Sequence, residues 1–152
     1  MRNIKQIVIH CSATYPHQDY GVDEIREMHL KRGFNDVGYH YIIKKDGTIE
    51  KGRDVQIMGA HVRGYNSNSI GVCYIGGYKT DGIAADTRTG AQDSKLLELI
   101  KALTIVFPNI DSIVGHRDLS PDLNNNGTIE PNEYMKQCPC FNAKDEYKFL
   151  IK

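Results

Sequence analysis

The sequence has no apolar run approaching the roughly 18 residues that cross a bilayer as a helix, so no membrane-spanning helix is expected. It has no surplus of charge: 19 Lys and Arg balance 19 Asp and Glu. That balance removes the electrostatic basis for binding nucleic acid or an anionic membrane surface. Cysteine is scarce. Cys11, Cys73, Cys138 and Cys140 are too few and too scattered for a disulfide scaffold, which leaves free thiols or metal ligation as the expectation. The N-terminal stretch offers only Ile7 to Ile9 as consecutive apolar residues before His10. A secretory signal needs about 7–15, so neither a signal peptide nor a lipid anchor is expected. Gly/Ser-rich and Pro-rich linkers, internal repeats and low-complexity segments beyond Asn124-Asn125-Asn126 are missing as well.

What remains is an ordinary globular composition, 40% hydrophobic and 25% charged over 152 residues, read as a single domain over 1–152. Ile4 to His10 reads as a buried strand, β-branched and free of Gly and Pro. Val22, Ile25 and His29 repeat at helical spacing over Asp23 to Lys31, with Gly33 as the stop. Tyr39 to Ile43 and Thr48 to Lys51 flank Asp46-Gly47, a hairpin signal. Ile70 to Ile75 is a third strand ended by Gly76-Gly77. Ala91 to Val106 carries an apolar helical stripe, with Thr89 as its cap and Pro108 beyond its end. Ile113 to Gly115 is a short strand that delivers His116. Asn142 caps a last helix over Ala143 to Leu150. Strands and helices interleave without a strict βαβ rhythm. The expected fold class is therefore α/β, with a central mixed β-sheet flanked by helices.

Three soft-metal ligands fall at element ends: His10, His116 and Cys138. Zinc accepts imidazole nitrogen and thiolate sulfur, and three protein ligands with one open position make a catalytic site. The separations are too long for a zinc finger, and spacing alone does not separate this trio from ordinary structural residues. Cys11, Cys73 and Cys140 read as small buried hydrophobes. His29, on the apolar helix face, reads as core, and His40 as structural because it points away from Tyr39's face of the strand.

Five blocks occur in order: IVIHCSAT (7–14), DVGYHYIIKKDGTIEKGRD (36–54), HVRGYNSNSIGVCYIGG (61–77), GHRD (115–118) and KQCPCF (136–141). Together they resemble the type-2 N-acetylmuramoyl-L-alanine amidases, the family of the phage lysozyme-type zinc enzymes, related to the peptidoglycan recognition proteins. The resemblance implies an amidase/peptidoglycan-recognition-protein-like fold and zinc on His10, His116 and Cys138. It puts the catalytic roles on Tyr39 and Lys136, and substrate contacts on His61 and Asn66. It implies hydrolysis, by zinc-activated water, of the amide between N-acetylmuramic acid and L-alanine in peptidoglycan. Tyr39 and Lys136 then serve as donors to the oxyanion. Two other functions compete: a non-catalytic peptidoglycan-binding module, against which Cys138, Tyr39 and Lys136 argue, and a cysteine hydrolase using Cys11 or Cys138. A monomer is expected, made without a signal peptide in the cytoplasm and acting on the cell wall after release, as a phage or prophage lysin does.

Phage relatives bridge the second and third zinc ligands with a short loop. Here an insert occupies 118–135, and DLNNNGTIEPNE (122–133) fits the calcium-loop pattern D-x-N-x-N-G-x-I-x-x-x-E. On that pattern Asp122, Asn124, Asn126, Thr128, Glu130 and Glu133 are candidate calcium ligands. Pro121 and the preceding strand leave no room for the entering helix of an EF-hand. The plainer reading is an Asx-rich turn whose side chains bond their own backbone.

Overall fold

The computed structural model describes residues 1–152. Its elements in chain order are β1 (Gln6–Cys11), α1 (Val22–Lys31), β2 (Tyr41–Ile43), β3 (Ile49–Lys51), β4 (Ser69–Tyr74), α2 (Gly90–Val106), β5 (Ser112–Gly115) and α3 (Ala143–Tyr147). The strands form one sheet in the order β3-β2-β4-β1-β5. β1 pairs in parallel with β4 and β5, β2 pairs in parallel with β4, and only the β2–β3 hairpin is antiparallel. This is the mixed sheet flanked by helices that the sequence predicts.

Alternation along β1 assigns its two faces. Ile7, Ile9 and Cys11 join the larger core, with Leu96, Leu99, Ile100 and Leu103 of α2 and with Ala143 and Tyr147 of α3. Val8 and His10 point to the opposite face, where Val8 meets Val62 and Val114. On that face α1 lays Val22 and Ile25 against Val37, Ile42 and Ile75. Each such side chain, when fully buried, contributes about 1.5–3 kcal/mol of transfer free energy.

α2 starts as expected. Thr89 Oγ1 accepts from the Gln92 N–H at 3.1 Å, and Gln92 Oε1 accepts from the Thr89 N–H at 3.0 Å. Element boundaries shift by one to three residues from the sequence reading, and two of the shifts have a visible cause. Tyr39 and His40 precede β2, although their carbonyls still accept from Arg53 and Gly52 at 2.9 Å, so the hairpin pairing runs on past the strand. The last helix stops at Tyr147 and tightens into a 3₁₀ turn over Lys148–Leu150.

Because β1 and β5 run parallel, His10 near the end of one and His116 just past the end of the other emerge at the same edge of the sheet. Ligand sites of open α/β sheets lie outside the carboxyl ends of their strands, and the cleft described next occupies that position.

Candidate functional site

The cleft has a volume of about 540 Å³, and its lining includes Tyr39, His116, Lys136 and Cys138. At its floor a ligand atom of His10, one of His116 and the Cys138 sulfur all lie within 4.8 Å of one another. The His10 and His116 ring centroids are 4.9 Å apart, edge to face. Cys138 Sγ is 3.8 Å from His10 Nδ1 and accepts from the Cys11 N–H at 3.2 Å. This cluster contains no fourth His, Cys, Asp or Glu. Two imidazoles, one sulfur and an open position are the donor set of a catalytic zinc site, so the residues present fit the ion.

Each donor is held by its element. His10 is anchored in the middle of the sheet, paired with Cys73 of β4, and is 1% exposed. Cys138 arrives from a loop, and three bonds fix that loop. The Arg117 N–H donates to the Cys138 carbonyl at 2.9 Å, the buried Tyr74 hydroxyl donates to the Pro139 carbonyl at 2.6 Å, and Cys11 N–H meets the sulfur. Gly115 makes the approach possible, because a Cβ there would lie 2.5 Å from Pro139 Cδ.

The electrostatics keep the imidazoles neutral and so able to offer lone pairs. Burial, reinforced by His61, His116 and Lys136, holds His10 well below its usual value. Burial and then the Lys136 charge bring His116 down to about 4. Tyr39, half-buried with its ring 4.9 Å from that of His10, is pushed well above the usual phenol range, chiefly by burial and then by the neighbouring thiols. Its hydroxyl therefore keeps its proton and is able to donate a hydrogen bond. Lys136 is exposed at the rim of the cleft.

His61 and Asn66, expected at the substrate, do line the cleft. His61 is nevertheless 9% exposed, and both its ring nitrogens are engaged within the chain, Nδ1 with His10 Nε2 at 2.9 Å and Nε2 with Ser69 Oγ at 3.1 Å. Asn66 Oδ1 accepts from the N–H groups of His61 and Val62 at 2.9 and 3.0 Å, which pins the loop. His29 is buried as expected, accepting from the Gly38 N–H at 2.8 Å, but it also forms part of the cleft wall. Arg32 and Arg63 line the cleft too, and sequence reasoning missed both; the spacing of His29 and Arg32, three apart at the end of α1, was the available signal. Cys11 and Cys73 are buried as predicted, while Cys140 is only half-buried, with its sulfur 3.8 Å from that of Cys11.

The calcium expectation at 122–133 finds no support. Asp122 Oδ2 accepts from the Gly127 N–H, Asn124 Oδ1 from Asn126, and Asn126 Oδ1 from Thr128, at 2.8, 3.1 and 2.9 Å. Glu133, 4% exposed, accepts from the Leu123 and Glu130 N–H groups, at 2.8 and 2.9 Å. The Asn124 and Asn126 side-chain amides donate to Glu130 at 2.8 and 3.0 Å. The Asx residues satisfy the backbone of a tight loop, which accounts for the motif without an ion.

Comparison with known proteins follows the same lines. The profile of the family described as N-acetylmuramoyl-L-alanine amidase matches residues 1–140. An endolysin of Klebsiella phage KP32 is 41% identical over 139 residues, covering 91% of this chain and 82% of the phage protein. A peptidoglycan-recognition protein of Drosophila melanogaster is 34% identical over 125 residues, covering 74% of this chain and 63% of that protein. Among solved structures, the N-acetylmuramoyl-L-alanine amidase LysC from Clostridium intestinale superposes with a TM-score of 0.75 at 26% identity, covering 99% of this chain and 88% of LysC. The chain belongs to the N-acetylmuramoyl-L-alanine amidase family.

Proposed function

We propose that the chain is a peptidoglycan hydrolase that cuts the amide bond between N-acetylmuramic acid and L-alanine, with zinc as its cofactor. The observation that carries this reading is the convergence of the buried His10 with His116 and Cys138, two residues that line a cleft together with Tyr39 and Lys136. Bound there, zinc supplies Lewis-acid polarisation of the amide carbonyl and acidifies water. His10, His116 and Cys138 would hold it. The chain's own contribution is positional and electrostatic. Lys136 and the protonated Tyr39 hydroxyl present N–H and O–H donors where negative charge develops on the amide oxygen. The buried bonds behind Cys138 keep its sulfur in register with the two imidazoles. Asn66 keeps its side-chain N–H₂ available to a substrate carbonyl, since its side-chain bonds within the protein use only Oδ1.

The cleft lining includes Arg32, Arg63 and Lys136 and no Asp or Glu. A cationic cleft on a chain of zero net charge suits a substrate peptide that carries carboxylates. No helix is long and apolar enough to cross a membrane. With phage endolysins among its relatives, the chain reads as a lysin that meets the wall after release.

The test is incubation with purified peptidoglycan and detection of newly exposed alanine amino groups. Activity should disappear on chelation and return with added zinc. Release that survives chelation would point instead to a thiol hydrolase, and binding without release to a non-catalytic wall-binding module.

A further inference from the structure

From Nε2 of His10 a chain of buried polar groups runs through the cleft-lining His61 inward to Ser69, groups to which the mechanism above gives no role. His10 Nε2 lies 2.9 Å from His61 Nδ1. His61 Nε2 lies 3.1 Å from Ser69 Oγ, and Ser69 Oγ lies 2.7 Å from the Tyr65 carbonyl oxygen. Ser69 is 0% exposed. The last group fixes the direction of the whole chain, because a carbonyl only accepts. The single Ser69 hydroxyl proton therefore goes to Tyr65, and Ser69 Oγ accepts from His61 Nε2–H. His61 Nδ1 then carries a lone pair and accepts from His10 Nε2–H. That leaves the His10 lone pair on Nδ1, the nitrogen 3.8 Å from Cys138 Sγ.

We propose that His61 and Ser69 are positioning residues which hold His10 in its Nε2–H tautomer, with Nδ1 presented to the metal centre, through an ordered chain that ends on the Tyr65 carbonyl. The inference about metal binding rests on the zinc reading above; the tautomer order rests on the protein's hydrogen bonds alone.

The surroundings are arranged for this chain. Gly71 of β4 leaves the space for the His61 ring, since a Cβ there would lie 2.6 Å from His61 Cγ. The Tyr65 carbonyl is placed by the loop that Asn66 pins, with the Tyr65 N–H donating to the Val62 carbonyl at 3.0 Å. Metal-bound histidines usually donate their second N–H to a carboxylate, a carbonyl or water. Here the acceptor is a neutral imidazole, which orients His10 without adding negative charge beside the ion.

The experiment is a long-range proton–nitrogen correlation spectrum of the imidazoles in metal-free, nitrogen-15-labelled protein. His10 and His61 should each carry a proton on Nε2 and none on Nδ1. Zinc affinity is then measured by competition with a chromophoric chelator in the wild type, Ser69→Ala and Ser69→Thr. Ser69→Ala should release His61 from its single tautomer and weaken zinc about 10–100-fold, the usual cost of losing such support. Ser69→Thr keeps the hydroxyl and should keep both tautomer and affinity. A wild-type His10 protonated on Nδ1 overturns the proposal whether or not the variants fold. Unchanged zinc affinity in a folded Ser69→Ala overturns the positioning role while leaving the zinc reading intact. The expected tautomers in a protein that binds no zinc would uphold the chain's order, overturn its role at the centre and defeat the zinc reading.

Discussion

Acidification should destabilise the metal-free protein through histidines that are buried neutral, and His40 gives the clearest case because it lies outside the ligand trio. Its side chain is 0% exposed. Its Nδ1 accepts from the Gly71 N–H at 3.0 Å, and its Nε2 donates to the Ile57 carbonyl at 2.8 Å. A proton added at Nδ1 would break the first bond and place a cation 3.2 Å from the Arg2 guanidinium. Burial foremost, with Arg2 and Arg53 adding to it against the pull of the Ile57 carbonyl, lowers its pKa from 6.5 to about 4. The unfolded chain takes up this proton as the pH falls through 6.5, whereas the folded chain refuses it until about 4. The stabilisation is therefore fully present above 6.5, is lost progressively below it, and is gone below about 4. At 1.36 kcal/mol for each tenfold change, the single group is worth about 3 kcal/mol, a large share of the roughly 5–15 kcal/mol that holds a domain together. Urea unfolding of the metal-free wild type and of His40→Gln at pH 7, 5.5 and 4 measures it. The variant should start less stable and lose about 3 kcal/mol less on acidification. Parallel profiles, or a His40 that titrates near 6.5 in the folded protein, would refute the reasoning.

Three further outcomes follow from the geometry. Lys136→Ala should lower kcat about 10²–10³-fold, the usual cost of one oxyanion donor, with little change in melting temperature because the side chain is exposed. Gly115→Ala should cost about 1–3 kcal/mol by overpacking against Pro139 and should weaken zinc binding as Cys138 is pushed aside, read by thermal melting together with chelator competition. Removing positive charge with Arg32→Gln and Arg63→Gln should raise KM and flatten its dependence on salt while sparing kcat, if the cleft attracts carboxylates; a salt dependence equal to that of the wild type would count against that attraction.

Local patterns carried most of the fold. Thr89 and Gln92 form the cap that their spacing predicts, and Asp46-Gly47 closes the expected hairpin, because caps and turns are settled by residues only a few positions apart. The metal trio was legible as residue types at element ends, but its convergence depends on parallel pairing of strands about a hundred residues apart, which no local pattern encodes. His61 shows the limit most clearly. Its sequence block placed it at the cleft, yet what it touches is set by the missing side chain of Gly71 and by Ser69 across a turn, contacts that exist only once β4 is in place. The insert marks the opposite limit, a motif that finds no support in the structure. A motif matched at every position, but short polar side chains also serve a tight loop's own backbone, and that use explains them here.

Anomalous diffraction at the zinc edge, on crystals of protein loaded with one equivalent of zinc, tests the central claim most directly. The account predicts a single strong peak bonded to His10 Nδ1, His116 and Cys138 Sγ, with one position left to solvent. A peak elsewhere, or an ion closed off by a fourth protein ligand, would contradict it.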